Sequence, residues 1–113
     1  MNAYEIPGEQ FTLNAASACE RHRFIKVDAN GLAAHATAAT DPIVGISYME
    51  ADATQPLSIV GGGIAMVEAG ATIAAGDLVT AGTDGKAAKA ADGKAGFVAL
   101  TGAGDGQLIS VKL

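Results

Sequence analysis

The chain has 113 residues, enough for one domain with a core, yet alanine dominates its hydrophobic half and there is no Trp, so that core is expected to be thin. Twelve acidic residues against seven basic ones leave a formal charge of −5, which argues against a nucleic-acid partner, whose phosphates call for a basic face. No apolar run approaches the ~20 residues that span a bilayer, so no membrane role is expected. The single Cys19 excludes an internal disulfide. Together with an N-terminus that lacks a basic start and an apolar core, this fits synthesis in a reducing cytosol.

Residues 1–9 are polar and carry the turn pair Pro7-Gly8; they read as an arm that orders only when something holds it. Gln10 to Leu13 alternates, with Phe11 and Leu13 on one face, as a short strand. Asn14 to Glu20 leaves helix and loop open: Ala favours a helix and Asn14 can cap one, but the run is too short to stand alone. Arg21-His22-Arg23, the basic cluster, reads as a solvated strand start or a contact to an acidic partner surface.

Strands are then expected at Phe24–Val27, Leu32–Ala36, Ile43–Tyr48, Pro56–Val60, Ile64–Val67, Leu78–Thr80, Lys86–Lys89, Gly96–Leu100 and Gln107–Leu113, each bounded by Gly, Asn, Asp or Pro. Asn30-Gly31 and Asp84-Gly85 are hairpin dipeptides. Gly45 inside its strand signals a bulge or a close backbone approach, and Ala91 to Lys94 reads as a further turn. The stretch from Gly70 to Val79 is the most organised. There Gly70 and Gly76 offer positive φ, Ile73 is the one large apolar residue between them, and Asp77 can bond its own backbone.

The two halves echo each other. Asn30-Gly31 corresponds to Asp84-Gly85 at an offset of 54, Gly45 to Gly96 at 51, and Gln55–Val60 to Gln107–Lys112 at 52. The expected fold is therefore all-β: a small barrel or sandwich of short strands with tight Gly-rich hairpins, in which two pseudo-repeated units are one reading of the echo. Residues 1–23 would form an N-terminal arm with the first short strand, and residues 24–113 the β domain.

The ingredients of a catalytic centre do not come together in the sequence. Gly85-Lys86 and Gly93-Lys94 are each followed by Ala, not by the Ser or Thr of a phosphate loop. His22, His35 and one cysteine do not make a zinc set. Glu20 beside Cys19 opposes thiolate formation, and Asp28, Asp84, Asp92 and Asp105 read as turn residues without calcium-loop spacing. No cofactor and no enzyme activity is expected. Val67 to Val79 also matches the pattern of β-hammerhead carriers such as lipoyl and biotinyl domains, with Lys86 near a hairpin tip, but the lysine signature is interrupted by Gly85. A carrier or binding module is the alternative reading.

Over residues 24–113 the chain resembles the capsid cement, or head decoration, proteins of tailed phages. The resemblance is carried by Val27–Gly31, Pro42–Ile46, Glu68–Thr80, the turn Asp84–Lys86, Gly96–Leu100 and Gly106–Val111. It implies a compact β domain on the outer surface of an icosahedral head, bound to the major capsid protein, stabilising the shell by bridging its subunits, and often trimeric. Synthesis would be in the bacterial host cytoplasm and the final location the virion. Residues 1–23 lie outside these motifs and are, by position, the expected capsid-gripping arm, with Tyr4, Ile6, Phe11, Leu13, Arg21 and Arg23 as the expected contacts.

Overall fold

The computed structural model describes residues 2–90 and 96–113. Among these residues, alternation and turn chemistry resolve into eleven strands. They are β1 (Ile6–Pro7), β2 (Gln10–Asn14), β3 (Phe24–Val27), β4 (Ala33–His35), β5 (Ile43–Ser47), β6 (Pro56–Val60), β7 (Gly63–Glu68), β8 (Leu78–Ala81), β9 (Ala87–Lys89), β10 (Phe97–Ala99) and β11 (Leu108–Lys112). The expected all-β fold is what the chain adopts. The expected Ala91–Lys94 turn, with Asp92 and the Gly93-Lys94 pair, lies outside the described residues.

Two antiparallel sheets form, in the orders β2-β6-β5-β3-β4 and β1-β7-β11-β10-β8-β9. With β1 set aside, the two orders are the same order. A shift of 54 residues for β2 to β4 and of 52 for β5 and β6 turns one set of pairings into the other. Ile25↔His35 becomes Val79↔Lys89, Ser47↔Ile59 becomes Ala99↔Val111, and Leu13↔Leu57 becomes Val67↔Ile109. Lone bridges follow the same rule: Ala15↔Ala33 matches Ala69↔Ala87, and Cys19↔Ala51 matches Ile73↔Ala103. The echo is thus a structural repeat, residues 10–60 and 64–112, with one correction to its alignment. Gly45 pairs with Ile25 and Phe97 pairs with Val79, so the partner of Gly45 is Phe97 and the offset there is 52, not 51.

Asp84 has φ 55° and ψ 28°, Gly85 has φ 74°, and the Lys86 N–H donates to the Thr83 carbonyl at 3.1 Å, which is the geometry of a type I′ turn. At the matching turn only Gly31 has positive φ (76°), and the Asp28 carboxylate accepts the N–H groups of Asn30 and Leu32. Gly45 meets both of its expectations. The register slips beside it, and an added Cβ would overlap the Val60 carbonyl oxygen. Gly76 has positive φ (91°) as expected, whereas Gly70 does not. At Gly70 an added Cβ would meet Lys86 Cβ and the Ala87 carbonyl oxygen at 3.2 and 3.3 Å, so crowding and not backbone conformation favours glycine there.

Each repeat holds its own apolar cluster: Ala15, Cys19, Ile25, Ala33, Leu57 and Ile59 in the first, and the equivalent Ala69, Ile73, Val79, Ala87, Ile109 and Val111 in the second. The second cluster is larger because the opposite face of the first sheet, through Phe24, Ile46 and Val60, closes over it. Phe24 and Phe97 stack there with ring centroids 5.7 Å apart. One repeat's outer face therefore packs on the other repeat's inner cluster, so the two units meet head to tail.

The N-terminal segment differs from the loose arm expected. Ile6 pairs with Ile64 and Pro7 with Gly63, and the backbone N–H of Tyr4 donates to Ser110 Oγ, which donates back to the Tyr4 carbonyl, both at 2.6 Å. The Glu5 carboxylate accepts the Met66 N–H. Low apolar content does not prevent this, because strand addition to the free edge of β7 satisfies backbone groups whatever the side chains.

Candidate functional site

Arg23 sits at the joint between the repeats and is not the solvent-facing residue expected. Its side chain is only 8% exposed. Nη2 reaches Glu20 at 2.6 Å and Glu68 at 3.1 Å, and Nη1 donates to the Asp84 carbonyl at 3.3 Å. The tip glycine Gly85 packs on it, since an added Cβ would stand 3.0 Å from Arg23 Cβ and 2.8 Å from the Phe24 carbonyl oxygen. Lys86 completes the cluster with Nζ 3.2 Å from Glu68. Arg23 is therefore spent on joining β3 to β7 and to the β8–β9 hairpin, and Lys86 is engaged in an ion pair instead of standing free at a hairpin tip.

His22 is buried beside Arg23 with φ 62°, and its Nδ1 faces the Glu5 carboxylate at 3.7 Å without a hydrogen bond. Burial, then the neighbouring Arg21, holds its pKa below the usual histidine range. His35 Nε2 accepts the Glu20 N–H at 3.0 Å, and burial with Arg23 lowers its pKa also. Cys19 is buried on the floor of the first cluster, where burial pushes its thiol up, and its equivalent is Ile73. It fills space as a small apolar residue, as its sequence context suggested.

The remaining expected contacts divide by exposure. Ile6 is 60% exposed on the edge strand, and Arg21 is exposed with Nε donating to the Tyr48 carbonyl. Tyr4 is half-buried and tied to Ser110 through its backbone. Phe11 and Leu13 are half-buried against the first repeat's cluster, with the Phe11 ring under Gly61. The structure thus gathers Ile6 and Tyr4 on β1 and its approach, leaves Arg21 apart, and removes Arg23 from the surface. Sequence reading did not single out Val27 and Val98, which are 37% and 41% exposed. The repeat was the signal that could have found them, because it pairs each with a buried residue.

Among the described residues, no three of His, Cys, Asp and Glu converge as a metal set. The clefts are shallow: one is lined by Cys19, Glu20, Ala51 and Asp52, another by Gly70, Thr83, Lys86 and Asp105. The arrangement offers edges and faces for contact with another protein.

No protein-family profile matches the chain, and no curated protein matches it in sequence. The fold, two like β units joined head to tail in one chain, is found in a solved structure. It is similar to the crystal structure of the head fiber gp8.5 N base of bacteriophage phi29, with a TM-score of 0.76, 23% identity, and 93% of this chain aligned to 92% of that one.

Proposed function

We propose that this chain is a structural, non-catalytic protein of a tailed-phage head, carried on the outer surface of the virion after synthesis in the bacterial cytoplasm. The observation that carries the reading is the likeness, over nearly the whole of both chains, to a protein whose name places it on a phage head. The sequence resemblance to cement proteins points the same way, and the charged groups described above are engaged in holding the fold together. In this reading the partner is the major capsid protein, and the protein bridges neighbouring capsid subunits as a homo-oligomer, with a trimer favoured. The N-terminal segment, residues 1–23, makes the contact through Ile6, with Tyr4 near it in the chain, and separately through Arg21, with Phe11 and Leu13 supporting from beneath. A surface poor in large aromatic anchors binds weakly per copy, and linking several copies makes the later contacts effectively intramolecular.

Co-sedimentation tests this. Purified protein is mixed with heads that lack it, from the phage that encodes it. Saturable binding, weakened at least tenfold by Ile6→Asp with Arg21→Glu, supports the reading. Protein that stays in the supernatant at all concentrations removes it.

A further inference from the structure

The joint between the repeats has two halves, and each repeat owns both. The first repeat supplies an outer face, the second an inner mouth. Among the described residues, that leaves the first repeat's inner mouth and the Leu78 and Val98 part of the second repeat's outer face, beside the part that Tyr4 covers at Ser110, without a partner. The residues at these open ends bear the mark of it. Phe24 is fully buried and its equivalent Leu78 only half-buried; Ile46 is 1% exposed and its equivalent Val98 41%. On the mouth side, Ala81 is 3% exposed and its equivalent Val27 37%, while Val67 is buried and its equivalent Leu13 is not. The apolar surface that a neighbouring repeat would cover is present, and it is exposed where that neighbour is missing.

We infer that a second copy of this chain docks head to tail, its Val27 and Leu13 mouth closing over the Leu78 and Val98 face of the first copy, in repetition of the joint within the chain. This deepens the homo-oligomer of the proposed function by naming the two surfaces, and its test uses the protein alone, so it can fail while capsid binding stands. The contact is heterologous, since each copy uses one face to give and another to receive, and a repeated rotation of this kind closes a ring or runs on as a filament. It is weaker than the internal joint. Lys112 stands where Val60 is buried, and Asp77 facing Asn14 and Asn30 replaces Arg23 facing Glu68 and Asp84.

The Arg23–Gly85 contact, with an added Cβ only 3.0 Å from Arg23 Cβ, translates to Asp77 of one copy against Gly31 of the next. Gly31 has open space around its Cβ position. A chain carrying Asp77→Cys is mixed with one carrying Gly31→Cys under mild oxidation, and products are separated without reductant. The expected result is a cross-linked heterodimer formed at least tenfold faster than either homodimer or than a mixture with Glu50→Cys, and lost when Val98→Asp is added to the first chain. Val98 is exposed, so that change leaves the fold intact, which circular dichroism checks for all four variants. Equal rates for all pairs, or a homodimer as the main product, would overturn the inference.

Discussion

Thr54 has φ 70°, a left-handed backbone that a β-branched residue adopts only under strain. Its equivalent in the second repeat is Gly106, at φ 82°. The backbone of the repeat demands this conformation twice, and the chain meets it with glycine once. Thr54 is exposed, so Thr54→Gly removes strain without losing packing. Relief of ~1–2 kcal/mol, less the entropy cost of glycine, leaves a gain of about 0.5–1 kcal/mol, read as a rise of a few degrees in melting temperature. At the hairpin tips the two glycines separate strain from crowding. Gly31→Val adds positive-φ strain alone, about 1–3 kcal/mol. Gly85→Val adds the clash with Phe24 and Arg23, so its loss should be clearly the larger in urea unfolding. Equal losses would mean that the tip does not pack on the joint. The histidines set a pH dependence. Burial lowers both His22 and His35 below the ordinary value of 6.5, so the folded chain resists a proton that the unfolded chain accepts. Stability is full above that value and falls as pH drops through it, so the melting temperature should fall between pH 7.5 and 5. His35→Gln should flatten part of the slope.

The elements show what sequence could tell and what it could not. The strands from Gln10 to Leu113 were legible because alternation, glycine and Asx chemistry all act locally, and Asp84-Gly85 states its turn in two letters. The repeat was legible in the spacing of its turns, though a one-residue error at Gly45 shows that register is settled by pairing and not by matching letters. β1 was hidden because its bonds belong to the backbone. The burial of Arg23 was hidden because Glu68, 45 positions away, is its partner. Arg21 and Arg23 look alike in the sequence, and alternation would set both on one face; the left-handed backbone of His22 between them breaks the alternation, so one faces solvent and the other the joint. Removing the buried Arg23 strips its bonds to Glu68 and the Asp84 carbonyl, but Glu68 keeps Lys86 and Glu20 stands largely in solvent, so the cost is about 1.5–3 kcal/mol. Arg23→Ala should therefore approach that loss in chemical denaturation, while Arg21→Ala should cost less than about 0.5 kcal/mol. A small effect at Arg23 would show that the apolar contacts alone hold the repeats together.

At the scale of the whole molecule, two similar units with alanine-rich cores bury enough surface together, and the N-terminal segment ties down the remaining edge of β7. Among the described residues such a molecule offers extended faces and edges with shallow clefts, which is compatible with the proposed place across the boundaries between subunits of a shell. Bridging acts by mass action: a protein that binds the assembled lattice and not free subunits stabilises the lattice. The measurement that bears most directly on this is thermal rupture of DNA-filled heads, followed by DNA release, with the protein absent and then added back. The account predicts that heads without it rupture at a lower temperature and that purified protein restores the higher one. Rupture at the same temperature in both, with no binding of the protein to bare heads, would contradict it.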